Sequence, residues 1–449
     1  MAAAHVLVFP FPIQGHINCM LHFATALVGA GIHVTFLHTD HNLRRLGGRA
    51  SSAARSPLLR FLSVPDGLPD DHPRSASDLL ELYKSLAGGA TGPYRALLAP
   101  PLATGSPSSR AADAGADPTG GFPPVTCLVA DGLLSWAFDV AEELGVPAIA
   151  FRTASAGSFL AFLFCRRPND TDDDVNPALH ALVESTVHSR KARALIFNTT
   201  TSLERSALAH VAPHMRHLFA IGPLHAMSPA VATCSLLPED DGCVEWLDSQ
   251  ADRSVVYVSL GSLATISHEQ FAEFLHGLIA AGYSFLWVLR PDMVGASRDG
   301  DATTLKEAIR AAAGNNKAHV VAWAPQRDVL RHRAVGCFLT HAGWNSTLEA
   351  IVEGVPMVCW PFFGDQQINS RFVGAVWRNG LDMKDVCERA VVERMVREAM
   401  ESDEIRRSAE ALAQQVKRDV AAGGSSATEF DRLVGFIREL SASSHGQSQ

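Results

Sequence analysis

The sequence carries no excess of positive charge and no marked basic cluster. Among its 449 residues, 38 Lys and Arg stand against 47 Asp and Glu, which gives a formal net charge of −9. Nucleic acids and anionic membrane surfaces bind proteins through clustered Lys and Arg. The charge balance therefore predicts no nucleic-acid partner. With 47% hydrophobic and 19% charged residues, the composition is that of a globular protein.

Long apolar runs and targeting signals are also missing. No apolar stretch reaches the ~18 residues that a membrane-spanning helix needs. The N-terminal segment "MAAAHVLVFPFPIQGHI" has no basic leader, and prolines interrupt its apolar run. The eight cysteines form no CxxC pair and no metal-ligand spacing. We therefore expect no membrane insertion, a reducing compartment and a cytoplasmic location.

Short apolar runs alternate with helical patterns along the chain. Predicted strands in the first half include residues 5–11, 33–39 and 125–131, and predicted helices include 16–29 and 76–88. The strands are continuous rather than alternating, which is typical of parallel strands covered on both faces. A second series of strands begins at residues 254–262. This order predicts an α/β protein with two doubly wound, Rossmann-like domains in tandem.

The domain boundaries follow from breaks in this pattern. We predict a first domain over residues 1–225, a linker over 226–241 and a second domain over 242–425. The linker has no clear period and contains two prolines. Residues 426–449 are predicted to form a C-terminal helix that packs back on the first domain, followed by a disordered tail, "SASSHGQSQ", over residues 441–449.

Two polar stretches have simple interpretations. Residues 103–121 are predicted to be a surface loop. Residues 169–175, "NDTDDDV", contain an Asp-x-Asp pattern that can hold a divalent metal ion. Because this segment follows no predicted strand, we predict no metal site there.

Polar residues cluster where one strand of the second half ends. A parallel sheet presents ligands at the carboxyl ends of its strands, and the unpaired N–H groups that begin a helix attract phosphate. The strand at residues 337–341 leads directly into such a helix start. Gly343 lets the backbone approach closely, Asn345 and Ser346 add donors, and His341 stands just before. An Asn-Ser pair at a helix start also serves as a simple cap.

The neighbouring segments supply groups for the rest of a nucleotide sugar. Glu349 shares the helical face of Asn345, and its carboxylate can accept hydrogen bonds from a ribose diol. Trp323, at a strand end, offers a flat surface for a base, with Gln326 close behind. Asp365 and Gln366 follow the strand at residues 356–361. Together these segments predict sites for a base, a ribose, a diphosphate and a sugar along one sheet edge.

The first half contributes a possible proton-transfer pair. His16 lies just past the first strand, and Asp131 ends the strand at residues 125–131. Both strand ends face the same edge, so the two side chains can meet. A neutral His with one nitrogen on a carboxylate can accept a proton through the other nitrogen. A lone His or Asp at such a position also acts as a cap, so the residues alone leave both interpretations open.

Beyond these local patterns, the stretch from Trp323 to Gln366, "WAPQRDVLRHRAVGCFLTHAGWNSTLEAIVEGVPMVCWPFFGDQ", resembles the signature of plant family 1 UDP-dependent glycosyltransferases. The resemblance extends to "FPIQGHI", "LVADGLLSWAFDVAEELGVP", "VVYVSLGS" and "FLWVLRPD". It implies a GT-B fold, in which two Rossmann-like domains face each other across a cleft. In that fold the UDP-sugar is held mainly by the second domain.

The resemblance also implies residue roles. His16 would be the catalytic base and Asp131 its partner. The UDP-binding residues would be Ser262, Trp323, Ala324, Gln326, His341, Gly343, Asn345, Ser346 and Glu349. The sugar-binding residues would be Thr153, Trp344, Asp365 and Gln366. In this family, Gln at the last position of the signature is associated with glucose donors.

The implied reaction is an inverting, metal-independent transfer of glucose from UDP-glucose to a hydroxyl group. The acceptor would be a small lipophilic molecule such as a plant secondary metabolite, a hormone or a xenobiotic. UDP-glucose would be a substrate, and no further cofactor is expected. A monomer is the family-level expectation.

Three alternatives compete with this hypothesis. A nicotinamide-dependent oxidoreductase fits two Rossmann-like domains, but no GxGxxG follows any predicted strand. A non-catalytic nucleotide-sugar-binding protein and a transferase that uses another UDP-sugar stay open. The acceptor side departs from the family between Phe159 and Ile196, where the chain is short. We expect apolar acceptor-pocket walls near Leu133, Leu134 and Phe159.

Overall fold

A computed structural model describes residues 3–47, 56–74, 78–99, 121–165, 177–227, 236–240, 242–295, 309, 311 and 317–446. Two parallel β-sheets, each flanked by helices, account for nearly all regular structure in these ranges. The predicted α/β class with two doubly wound units is therefore confirmed. We refer to the two units as the first and second lobes.

The first lobe is built on a sheet in which seven strands are described, in the order β3-β2-β1-β4-β5-β6-β7. Its strands are β1 (His5–Phe9), β2 (His33–Thr39), β3 (Leu59–Val64), β4 (Cys127–Asp131), β5 (Ala148–Arg152), β6 (Ala194–Phe197) and β7 (Leu218–Ala220). Its helices are α1 (Gln14–Gly29), α2 (Asp40–Leu46), α3 (Leu79–Leu98), α4 (Ser135–Glu143), α5 (Ala156–Phe164), α6 (Pro177–His188), α7 (Thr201–Val211) and α8 (Leu224–Met227).

The second lobe has a sheet in which six strands are described, in the order β10-β9-β8-β11-β12-β13. Its strands are β8 (Val255–Ser259), β9 (Ser284–Val288), β10 (Ala318–Val321), β11 (Val335–Thr340), β12 (Met357–Cys359) and β13 (Gly380–Asp382). Its helices are α9 (Gly242–Asp248), α10 (His268–Ala281), α11 (Gln326–Arg331), α12 (Trp344–Glu353), α13 (Gln366–Arg371), α14 (Arg389–Glu401) and α15 (Asp403–Val420), and a π-helical turn covers Phe372–Trp377.

Continuous apolar strands explain why both sheets are buried on two faces. In β1, Val6 and Val8 pack into one core cluster, while Leu7 and Phe9 pack into the cluster on the other face. Side chains of successive strand residues point to opposite faces, so an unbroken apolar run fills both layers. The carboxyl ends of the strands are then left as the edge where polar residues gather.

The helix predicted over residues 76–88 is longer in the structure. It runs as α3 to Leu98, although Gly88, Gly89 and Pro93 weaken its helical pattern. Leu86 and Tyr94 are fully buried on the face that it packs against the first lobe. Tertiary packing therefore outweighs the local propensity in this segment.

The C-terminal helix α16 (Ser425–Gly446) packs on the first lobe. Leu433 and Ile437 belong to the same apolar cluster as β1 and α1. The helix continues to Gly446, into the segment 441–449 that composition predicts to be disordered. Ser441 is buried there, and its Oγ lies 2.7 Å from Thr126 Oγ1. Residues 447–449 lie outside the described ranges.

Several predictions fall partly or wholly outside the described residues. These are the linker at 228–235 and 241, the surface loop at 103–120 and the Asp-x-Asp segment at 169–175. The domain boundaries stay predictions. The cysteines in the described ranges are free thiols. Among the helices described, none combines the length and apolarity needed to cross a bilayer.

Candidate active site

The carboxyl edges of the two sheets face a shared cleft. In the first lobe β1, β4 and β5 are neighbours, and in the second β8, β11 and β12 are neighbours. The cleft contains a cavity of about 460 Å³. The residues predicted for the site that line it are His16, Thr153, Ser262, Trp323, Ala324, Gln326, His341, Gly343, Trp344, Asn345, Ser346, Glu349, Asp365 and Gln366. Topology alone brings these sequence-distant residues together.

His16 and Asp131 form a direct pair at the edge of this cavity. His16 lies in the first turn of α1, and Asp131 is the last residue of β4. His16 Nδ1 is 2.5 Å from Asp131 Oδ2, although 115 positions separate the two residues. The His16 side chain is 21% exposed and that of Asp131 1% exposed. The imidazole can therefore meet a ligand, while the carboxylate stays behind it.

The backbone around Asp131 fixes its carboxylate. Leu133 N donates to Asp131 Oδ1 at 3.0 Å, and Phe11 N donates to Oδ2 at 3.4 Å. Burial by itself raises the pKa of Asp131, but the neighbouring His16, the Leu133 N–H and the charge of Arg152 outweigh it, so the pKa lies below its ordinary value. The carboxylate is thus ionised at neutral pH, and a carboxylate can only accept. His16 Nδ1 therefore carries the proton, which leaves Nε2 as the basic nitrogen.

Thr153 lies beside the imidazole. It follows β5, and its Oγ1 is 2.9 Å from His16 Nδ1 and 3.4 Å from Nε2. The family resemblance implies a sugar contact for this residue. In the structure the Thr153 hydroxyl contacts the His16 imidazole, so Thr153 helps to fix that ring at the cavity wall.

The start of α12, where the sequence predicts a phosphate site, lines the cavity. Gly343 is the residue before the helix and supplies no side-chain cap to its first turn. Uncapped N–H groups at a helix start are groups that can bind an anion. Asn345 Nδ2 donates to Gly15 O of the first lobe at 2.7 Å, so this donor lies at the junction of the lobes.

His341 is enclosed by two glycines. A Cβ at Gly343 would lie 2.4 Å from His341 Nε2, and one at Gly261 would lie 2.6 Å from the same atom. Burial, with the charge of Arg290, lowers the pKa of His341 to about 4. Its Nδ1 makes no hydrogen bond with any described residue. His341 is therefore a neutral imidazole at physiological pH, and its Nδ1 is available for a hydrogen bond with a ligand.

Gln326 and Glu349, both predicted to meet a ribose, are hydrogen-bonded to each other at the wall of the cavity. Gln326 Nε2 lies 2.7 Å from Glu349 Oε2 and 3.0 Å from Ser346 Oγ. Tyr257 OH donates to Gln326 Oε1 at 3.3 Å. Burial raises the pKa of Glu349, and the bond from Gln326 offsets this only in part. The hydroxyl groups of a ribose would donate further hydrogen bonds to the Glu349 carboxylate.

The base-facing residues Trp323 and Ala324 follow β10 and line the cavity. Ser262 follows β8 in a loop supported from below by Arg290. The guanidinium of Arg290 donates to Gly261 O and, at 2.8 Å, to Ala264 O. Because both carbonyls flank Ser262, this buried arginine fixes the loop that presents the Ser262 hydroxyl.

Three residues predicted to hold the sugar differ in what they can offer. Gln366 Oε1 accepts from Phe362 N at 2.8 Å and Phe363 N at 3.1 Å, so its amide N–H groups are the ones free to meet a ligand. Burial raises the pKa of Asp365. The Trp344 indole is turned away, because its Nε1 donates to Asn198 O at 2.8 Å. Trp344 can therefore contact a sugar through its backbone N–H.

Sequence reasoning missed several residues of the cleft. Asn198 follows β6, and its position after an apolar strand is the same signal that singled out Asp131. Tyr257 lies within β8, and Arg327 is the second residue of α11, where its Nη2 donates to His225 O at 3.0 Å. Nothing in the local pattern distinguishes Tyr257 from a core residue.

The expectation of acceptor walls near Leu133, Leu134 and Phe159 gains no support from the cavity, because none of the three residues lines it. Leu134 and Phe159 are fully buried in the core of the first lobe, and neither lines the cavity. Leu133 packs at the edge of the same cluster. Apolar residues after a strand end here fill the space between helices. No group of three or more His, Cys, Asp or Glu side chains in the described part of the chain is arranged to hold a metal ion.

Comparisons with known proteins agree with this geometry. The family described as UDP-glucoronosyl and UDP-glucosyl transferase matches residues 190–412. A myricetin 3-O-rhamnoside 1,2-glucosyltransferase of Crocosmia x crocosmiiflora is 41% identical over 485 aligned positions, which cover 98% of this chain and 97% of that protein. This alignment is longer than the chain, so that protein contains segments without a counterpart here. A 7-deoxyloganetic acid glucosyltransferase of Catharanthus roseus is 40% identical, with 98% of each chain covered.

Solved structures give the same result for the fold. Os79 from O. sativa in complex with UDP superposes with a TM-score of 0.78 at 28% identity, over 96% of this chain and 100% of that one. Os79 with U2F and trichothecene gives a TM-score of 0.77 at 29% identity. The GT-B fold expected from the sequence is thereby confirmed.

Proposed function

Because this chain belongs to the UDP-glycosyltransferase family, whose members transfer sugars from UDP-sugars to small molecules, we propose that it is a UDP-glucose-dependent glucosyltransferase. The acceptor is a hydroxyl group of a small lipophilic molecule, such as a plant secondary metabolite, a hormone or a xenobiotic. Two relatives at 40% identity or more bear the name of glucosyltransferases, which supports glucose as the sugar. Gln366 at the end of the signature supports the same choice.

The observation that carries the proposal is the 2.5 Å contact between His16 and Asp131 at the wall of the cleft. A nucleotide-sugar-binding protein without catalysis has no need of a base held on a buried carboxylate. The pair lies in the first lobe, opposite the phosphate-facing helix α12. This is the arrangement that a proton acceptor between two bound substrates requires.

The proposed reaction is a single displacement. His16 Nε2 takes the proton of the acceptor hydroxyl, and the acceptor oxygen forms a bond to the anomeric carbon. The bond from that carbon to the diphosphate oxygen breaks, and UDP leaves with the electron pair. Asp131 balances the charge that develops on the imidazole. Attack from the opposite face converts an α-linked donor into a β-glucoside.

The second lobe supports departure of the diphosphate. The unpaired N–H groups at the start of α12, with the Asn345 and Ser346 side chains, stabilise the developing negative charge. In this scheme these donors do the work that other transferases assign to a divalent metal. Trp323 and Ala324 meet the uracil, while Gln326 and Glu349 meet the ribose. Asp365 and Gln366 meet the hexose hydroxyls.

Incubation with UDP-glucose and a panel of small alcohols and phenols tests the proposal. Mass spectrometry should detect a monoglucoside, and UDP release should depend on the acceptor. UDP binding without acceptor-dependent release would favour the non-catalytic alternative. UDP-galactose and UDP-glucuronate serve as competing donors, and faster transfer from either would overturn the choice of glucose.

A further inference from the structure

Asn369 connects three parts of the site and is 1% exposed. It lies in α13, one helical turn beyond Asp365. Its Nδ2 donates to Asp365 Oδ2 at 2.8 Å and to Ala342 O at 3.0 Å. Its Oδ1 accepts from Ser155 Oγ of the first lobe at 2.9 Å. One buried amide thus touches the sugar-facing carboxylate, the phosphate-facing turn and the opposite lobe.

The orientation of this amide follows from its partners. A backbone carbonyl and a carboxylate can only accept, so both must face the NH₂ group. The oxygen then faces the Ser155 hydroxyl, which has its own proton to donate. Aspartate at this position would keep the acceptor but lose both donors, and it would place a second negative charge beside Asp365.

Each of the three contacts leads to a group of the proposed mechanism. Ser155 follows Thr153, whose hydroxyl touches His16, and it also caps α5 by accepting from Ser158 N at 3.1 Å. Ala342 stands between His341 and Gly343 with a φ of 60°. That left-handed conformation is unfavourable for a residue with a Cβ, so it needs support from its surroundings.

We propose that Asn369 is a positioning residue, which holds the sugar-binding carboxylate of Asp365 and the phosphate-facing turn in register with the His16 side of the cleft. This inference rests on the proposed function of the site. Asn369 is buried and does not line the cavity, so it acts through its neighbours. Its effect comes from geometry, since a shift of about 1 Å between reacting groups can cost about 10²-fold in rate.

A change at Asn369 should affect binding of the hexose and binding of the nucleotide differently. Asp365 faces the sugar, whereas of the segments assigned to UDP Asn369 contacts only the turn at Ala342, through one carbonyl. Loss of the Asn369 donors should therefore weaken UDP-glucose binding more than UDP binding. A residue that merely stabilises the fold would change both affinities together.

The test compares Asn369→Asp with Gln367→Glu, which makes the same amide-to-acid change on an exposed residue of the same helix. For Asn369→Asp we expect about 10²-fold lower kcat and about tenfold weaker UDP-glucose binding. The dissociation constant of UDP should change by less than about threefold. Gln367→Glu should behave as wild type in all three measurements. Ser155→Ala removes the bond to Asn369 and the cap of α5 but keeps both Asn369 donors, so it should lower kcat by less than Asn369→Asp does.

Equal weakening of UDP and UDP-glucose binding by Asn369→Asp would overturn the inference, as would unchanged affinity for UDP-glucose. The affinities are measured by calorimetry without an acceptor, so they test Asn369 independently of turnover. Failure of the proposed function would be seen instead in the wild type, as a lack of acceptor-dependent UDP release.

Discussion

Asp131 is a buried carboxylate and Glu349 a half-buried one on the opposite side of the cleft, and their pKa values shift in opposite directions. In the first lobe His16, the Leu133 N–H and the charge of Arg152 outweigh the burial of Asp131, so its pKa is lowered. In the second lobe burial dominates and the pKa of Glu349 is raised, because the amide of Gln326 is its main partner. The Asp131 carboxylate receives its hydrogen bonds from within the protein, whereas the Glu349 carboxylate can accept more from a ligand.

The two imidazoles repeat this contrast. His16 is bonded to a carboxylate and partly exposed, so it can accept a proton from a ligand. His341 is enclosed by glycines, has a pKa of about 4 and leaves Nδ1 unbonded among the described residues. Under the proposed function, the first lobe therefore supplies the proton-transfer pair. A nucleotide would complete the hydrogen bonding of the polar groups in the second lobe.

The largest expected effect comes from removing the imidazole of the first lobe. His16→Ala should lower kcat by about 10²- to 10⁴-fold, the range for a positioned base. The affinity for UDP should not change, because the second lobe binds the nucleotide. Steady-state kinetics and calorimetry with UDP measure the two quantities. Near-full turnover on an ordinary alcohol would contradict the base role, whereas an acidic phenol needs less help from a base.

The second effect tests how tightly His341 is enclosed. In Gly343→Ala the new Cβ would lie 2.4 Å from His341 Nε2, so the ring or the start of α12 must move. We expect a loss of about 1–3 kcal/mol in the free energy of unfolding, as for other overpacked sites. Gly15→Ala is the matched control across the cleft, since its Cβ would meet Asn345 Nδ2 at 3.4 Å. Chemical denaturation should show little change in the control, and equal losses would contradict the enclosure.

A smaller effect should follow from neutralising the carboxylate of the second lobe. Glu349→Gln replaces charge-assisted hydrogen bonds to the ribose with neutral ones, so UDP should bind about tenfold more weakly. Saturating kcat should stay close to the wild-type value, because the base pair is intact. A variant with reduced kcat and unchanged UDP affinity would place Glu349 outside the ribose site.

The smallest effect concerns pH. Hydroxyl donors bind an ionised Glu349 better than a protonated one. UDP affinity should therefore rise with pH through the raised pKa of Glu349 and level off above it. Calorimetry from about pH 4.5 to neutrality measures this dependence. The phosphates of UDP also titrate, so the relevant quantity is the difference from Glu349→Gln. Parallel curves for the two proteins would show that Glu349 does not titrate on binding.

Strand ends were the part of the site that sequence could predict. His16, Asp131 and His341 each follow or end an apolar run, and parallel pairing brings such positions to one edge. Directions of side chains beyond those ends were not predictable. The indole of Trp344 bonds to Asn198 O in the other lobe. Phe159 belongs to the core. Both outcomes depend on how helices pack, which no local pattern records.

The fold, too, has parts that the sequence could predict and parts that it could not. The apolar runs predicted both sheets, but the three-residue strand β13 (Gly380–Asp382) is too short and too polar to be recognised. The full length of α3 was missed because glycines and a proline disguise its buried face. Ser441 was assigned to a disordered tail on composition, yet its hydroxyl meets Thr126 in the core. In each case contacts with distant residues outweigh local preference.

The start of α12 also connects the two lobes through hydrogen bonds. Trp344 Nε1 holds Asn198 O, and Asn345 Nδ2 holds Gly15 O, the carbonyl immediately before His16. Two neighbouring side chains of α12 thus join the two lobes directly at the cavity. Under the proposed function, these bonds fix the distance between the departing diphosphate and His16.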